Sequence, residues 1–268
     1  MRAILLVARA VFKESVRDRV PYSMVGFAVL LIAASYLISQ LTAGQDLKII
    51  KDLGLAALSI FGLLIAVFIG IGLVSKEVER RSIYSVISKP VTRAQLVIGK
   101  YLGLVATLGA NLAVMTIAYY AVLVYVELTA SAAVKAAWPA PAADPRLLVA
   151  IVLIFGELML VTAVAIFFST FSSPLLSALL TLGLWVAGHF NTDLRHFETV
   201  IKARPITWIA RVLYYLLPNL APFDVKAEAV YGIPVAMSQV AYTLLYAGLY
   251  ISTLLVAAVA IFRRRDFK

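Results

Sequence analysis

Residues 53–74 read LGLAALSIFGLLIAVFIGIGLV, an uninterrupted apolar run with no charged side chain. As a helix it would extend roughly 33 Å at 1.5 Å per residue, enough to cross a hydrocarbon core of about 30 Å. A backbone in lipid must satisfy its own hydrogen bonds, which leaves helices and closed barrels. The run lacks the two-residue alternation of a barrel strand. Five more apolar runs stand at about 21–41, 101–126, 147–170, 174–190 and 238–262. The 268 residues are 63% hydrophobic and 14% charged, against about 25% charged in a soluble domain. The expectation is an all-α integral membrane protein with six transmembrane helices, built as one transmembrane domain over residues 1–268.

Charge orients the spans. With six crossings both termini share a side, and that side holds residues 1–20, 75–100, 171–173 and 263–268. It carries 15 of the 24 Lys and Arg against five acids, which accounts for the whole net charge of +10. The opposite side is nearly balanced. Basic residues favour the cytoplasmic face, so both termini are expected in the cytoplasm, with the protein in the cell (inner or plasma) membrane. The positive charge is thus a matter of topology, and no nucleic-acid partner is expected. Residues 1–20 interleave charges with apolar positions and show no continuous apolar core of a signal peptide. The absence of cysteine excludes disulfides and thiolate chemistry.

Along residues 1–20, Ile4, Leu5, Ala8, Val11, Phe12 and Val16 recur at helical spacing with Arg2, Arg9, Lys13 and Arg17 between them. This pattern predicts an amphipathic interfacial helix in the inner headgroup layer, the alternative being an extension of the first span. Pro21 suits the start of the next helix. Residues 75–92 form an inner loop containing a short helix at about 77–87, with Ile83, Val86 and Ile87 as an apolar stripe. Ser88-Lys89-Pro90 breaks it. Thr92 and Gln95 match a capping box that starts a helix near Arg93 and carries it to about Val126. Ser173 and Pro174 mark a tight turn between two spans. The longest non-spanning piece, about 191–237, contains ITWIARVLYYLLPN (206–219), too short to cross; it is expected as an outer re-entrant helix roofing a cavity, or one floating at the interface.

Few residues carry chemistry. No GxxxxGK[ST] phosphate loop is present, so the chain itself is not expected to hydrolyse ATP or act as an enzyme. Glu157 is the ionisable residue deep in a span, a carboxyl that would serve as a proton relay or, more simply, as a hydrogen bond across the bundle. Asn111 is a second polar candidate for a translocation path, or helix-packing glue. His189, Asp193 and His196 share one helical face in a spacing that suits a metal ion, although a solvated helix end explains them as well, and no metal is assigned.

The charged loop has a family look. An acidic pair followed by SKPVTRAQLVIGKYLGL (88–104) resembles the loop of type-2 ABC transporter permeases, which carry a similar Lys-Pro…Arg…Gly-Lys pattern after the second span. STFSSPLLSALLTLGL (169–184), LPNLAPFD (217–224) and FRRRDF (262–267) agree in order, covering nearly the whole chain. The nearest flavour is the multi-copper-enzyme-maturation branch. The resemblance implies an exporter permease subunit, with two such subunits, expected as a homodimer, paired with two ATP-binding cassette subunits that hold ATP and Mg; no cofactor is expected in this chain. It implies that the 77–87 helix is the cytoplasmic coupling helix, with Glu77, Glu79, Arg80, Arg81, Ile83, Tyr84, Pro90 and Arg93 in the ATPase-coupling region. The chain departs from many relatives at Arg81-Ser82, where they carry Gly-Thr. Other readings are a gradient-driven transporter using Glu157 and a membrane scaffold that transports nothing.

Overall fold

A computed structural model describes residues 2–17, 19–39, 46–79, 92–190 and 217–264, with side chains described at all of these except 19–20, 72–79 and 263–264. The described residues are helical with no strand. The helices are α1 (Arg2–Ser15), α2 (Arg19–Ser39), α3 (Asp46–Glu79), α4 (Arg93–Thr129), α5 (Ala132–Ala136), α6 (Arg146–Ser169), α7 (Pro174–His189), α8 (Lys226–Val230) and α9 (Met237–Arg264), with a single 3-10 turn at Ala221–Phe223. Among the described residues, five helices are long and apolar enough to cross a membrane: α2, α3, α4, α6 and α9. The expected fifth span, 174–190, is the 16-residue α7, apolar but shorter than the others.

The helix boundaries follow local chemistry. Thr92 caps α4 as a full capping box: Gln95 N donates to Thr92 Oγ1 at 3.3 Å and Thr92 N donates to Gln95 Oε1 at 3.0 Å. Pro174 occupies the first turn of α7, where its missing N–H costs nothing. The N-terminal region differs in one respect. α1 stops at Ser15 and α2 begins at Arg19, so Pro21 lies inside the first turn of α2 rather than at its boundary. Helix first turns leave their N–H groups unpaired, and proline is tolerated throughout that turn.

α6 is the centre of the bundle. Leu147, Ala150, Leu153, Ile154, Leu160 and Ala163 are among its fully buried side chains, and its mean burial reflects helices packed around it. Small residues permit the closest approaches. A Cβ on Gly62 would lie 2.5 Å from Leu158, and one on Gly70 would lie 2.9 Å from Ala165, so α3 packs tightly on α6. α9 and α4 flank the centre and turn Tyr242, Leu245, Leu249 and Val256, and Val114, Ile117 and Leu128, outward, as suits helices whose other face meets lipid.

Two ends of the bundle are distinct. At the basic end, α1 lies along the start of α4: a Cβ on Gly99 would meet Val7 at 2.7 Å, and one on Gly103 would meet the Ala8 carbonyl at 2.6 Å. There too, Arg93 donates to the Phe262 carbonyl at 2.8 Å and lies 5.9 Å from its ring centroid. The first helix, the start of α4 and the end of α9 therefore meet. At the far end, Lys51, 1% exposed, donates to the Pro141 carbonyl at 2.8 Å. Ala143 N donates to Glu127 at 2.8 Å, and Tyr120 donates to the Asp144 carbonyl at 3.0 Å. Gly232, at φ +70°, makes the turn after α8 that brings its carbonyl to Arg146.

Candidate functional site

The segment expected to receive a partner lies largely outside the described residues: Arg80, Arg81, Ile83, Tyr84 and Pro90 fall there, and with them most of the expected 77–87 helix. What is described is its two supports. α3 runs unbroken through Glu77 to Glu79, and α4 starts at Arg93. Each is far longer than a hydrocarbon core needs. α4, with 37 residues, is a rod of roughly 55 Å, so a substantial part of it projects beyond the lipid. Arg93 fixes the foot of that rod to the end of α9. The sequence offered no signal for this partner, because Phe262 contributes a backbone carbonyl, which every residue has.

The polar centre is more developed than the sequence suggested. Glu157, near the middle of α6 and 1% exposed, accepts a hydrogen bond from Trp185 Nε1 on α7 at 2.5 Å. His189 Nε2 stands 3.5 Å from the same carboxyl oxygen. The His189 Nδ1 faces the Trp185 carbonyl at 3.1 Å, and the two rings pack with centroids 4.7 Å apart. The expected hydrogen bond across the bundle is present, donated by Trp185, with His189 at ion-pair distance beside it. Trp185 was unreadable as a partner because an indole in an apolar run looks like packing until the facing helix is known.

A chain segment returns into the bundle beside this centre. Leu220 N donates to the Gly188 carbonyl at 3.0 Å, satisfying one of the orphan acceptors at the end of α7. Asn219 N donates to Tyr246 on α9 at 2.9 Å, and Phe223, fully buried, packs on Gly156. Tyr246 and Gly156 lie nine or ten residues inside their helices, so the segment reaches roughly 15 Å in from the far end. Residues 217–223 thus pack into the bundle; the 206–216 part of the expected helix lies outside the described residues, as do Asp193 and His196.

Asn111, on α4, buries its Nδ2 with no hydrogen-bond partner among the described residues. Helices α4 and α6 pack beside it where Phe155 meets Gly109, and an apolar groove of about 350 Å³ runs along them past Thr116 and Ile151. Asn111 and Glu157 thus stand on neighbouring helices without a contact between them in the described hydrogen bonds. At the far end a cavity of about 580 Å³ is lined by Asp46, Lys48, Val134, Trp138 and Tyr231, with Lys48 hydrogen-bonded to Tyr231. Among the described residues no group of three His, Cys, Asp or Glu is arranged to hold a metal ion. His189 has both ring nitrogens facing protein partners.

A family model described as an ABC-2 family transporter protein matches residues 5–267. No curated protein matches the chain.

Proposed function

Because the chain belongs to the ABC-2 family of transporter proteins, whose members are membrane transport components rather than catalytic subunits, we propose that it is the permease subunit of an ATP-binding cassette exporter. Two copies of the chain would line the path, and two separate ATPase subunits would hold ATP and Mg and drive it. The observation that carries this reading is the pair of long helices, of 34 and 37 residues, that bracket residues 80–91 at the basic end. Such rods would transmit a push on the intervening segment into the bundle. Arg93 passes it on to α9 through Phe262.

The meeting of α1, the start of α4 and the end of α9 supports an even number of crossings, with both termini on one side. Five long helices, with the shorter α7 as a sixth crossing, fit that arrangement. The excess of basic residues supports a cytoplasmic position for that shared end, with the protein in the inner or plasma membrane. The SKPVTRAQLVIGK stretch supports the multi-copper-enzyme-maturation branch without naming a cargo.

Glu77→Lys combined with Glu79→Lys tests the reading. The variant is expected to insert normally, to lose co-purification of the ATPase and to lose transport. Full ATPase capture and full transport in that variant would overturn the proposal. A gradient-driven transporter is favoured by one observation, the buried Glu157 beside a titratable His189. Transport by the chain alone in vesicles carrying a proton gradient, abolished in Glu157→Gln, would establish that alternative.

A further inference from the structure

Two groups meet at one carboxyl oxygen in the middle of the bundle. Trp185 Nε1 and His189 Nε2 both approach Glu157 Oε1, at 2.5 and 3.5 Å. The other histidine nitrogen, Nδ1, faces the Trp185 carbonyl at 3.1 Å. A carbonyl oxygen only accepts, so Nδ1 must carry a hydrogen and donate it. That assignment fixes the tautomer and leaves Nε2 to face the carboxyl.

We propose that Glu157 and His189 form a binding site for one proton, and that this proton fastens the end of α7 to α6. Two arrangements satisfy the geometry: an imidazolium against a carboxylate, or a neutral imidazole accepting from a protonated carboxyl. Both assign a single proton to the pair, which stands at ion-pair distance, and both leave it without net charge. With that proton gone, an imidazole lone pair points at a buried carboxylate, whose remaining donor among the described contacts is the Trp185 indole. An underserved charge at 1% exposure is costly, and separation of the helices relieves it. The histidine, whose side chain is 21% exposed, is the more open member of the pair.

Among the described residues, the return segment brings the further charges that act on Glu157, Asp224 and Lys226, which pair with each other at 3.4 Å. α4 brings Tyr101, whose hydroxyl faces the Met159 carbonyl at 3.4 Å, and α9 brings Tyr246, which accepts from Asn219, and Tyr250 beside it. α3 meets this stretch of α6 through Gly62 against Leu158. His189 is the last residue of α7, and the adjacent Gly188 carbonyl takes the Leu220 N–H. The proton therefore joins α6 to α7, and the Leu220 N–H ties the return segment to the same turn of α7. The inference stands on this geometry and is independent of the transport reading above.

The test uses the full chain, labelled with 15N-histidine, in phospholipid vesicles. The sequence has two histidines, and His189→Gln assigns the signals. The expected spectrum shows His189 Nδ1 protonated at every pH and Nε2 changing in one step. Glu157→Gln should displace that step by more than about one pH unit, the mark of two interacting sites. A bare Nδ1 in the unmodified chain would overturn the proposal whatever the variants do, and so would an undisplaced step. Backbone hydrogen exchange at 185–190, corrected for its intrinsic pH dependence, should accelerate at least tenfold once the proton has left. An unchanged rate would refute the fastening role.

Discussion

At the scale of single residues, the far end of the bundle shows how one glycine sets the position of a helix. Tyr119 is fully buried, donates to the Lys51 carbonyl at 3.1 Å, and lays its ring where any side chain on Gly54 would go. Tyr119→Phe keeps the ring and loses the bond, so it should cost about 1 kcal/mol of stability. Gly54→Val keeps the bond's partners and removes the space, so it should cost about 1–3 kcal/mol as overpacking. Thermal unfolding of the purified variants in detergent checks both, and a Gly54→Val protein as stable as the parent would contradict the packing described. Lys51 shows a different logic. Its stem is buried while its ammonium bonds the Pro141 carbonyl, with Asp144 and Glu127 as nearby opposite charges.

At the scale of elements, α1 is held by contact rather than by connection. Gly99 and Gly103, four apart, open a strip on α4 into which Ile4, Val7, Ala8 and Val11 settle. Leu5 and Leu6 on its other side are 64% exposed, which suits a helix lying at a lipid surface. Gly103→Leu should push α1 off α4. Trypsin would then cut after the exposed Arg9 and Lys13 several times faster than in the parent, and equal rates would show that α1 is held by something else. The N-terminus of α4 has its own support in the capping box, where Thr92→Ala should cost about 1 kcal/mol. This element was legible in advance because a capping box is a local pattern. The GxxxG spacing in GKYLG was equally local, yet nothing in it names α1 as the helix that fills it.

At the scale of the whole molecule, Arg93 is the join between two halves of the chain, bonding α4 to the end of α9 across more than half the sequence. On the proposed coupling, Arg93→Ala should leave insertion and ATPase capture intact while transport falls severalfold, since a push delivered at the lip would no longer reach α9. Equal transport would place the coupling elsewhere. The sequence by itself determined the membrane class, the helical content, the long spans and the basic end, because hydropathy, helix length and charge asymmetry act residue by residue. It also placed Glu157 in a span. It could not say that residues 217–223 return to cap α7, or that Trp185 and His189 converge on one carboxyl oxygen. Those facts depend on which faces of distant helices meet. Only the tertiary structure decides that, since in lipid every helix is apolar and close packing selects its neighbours.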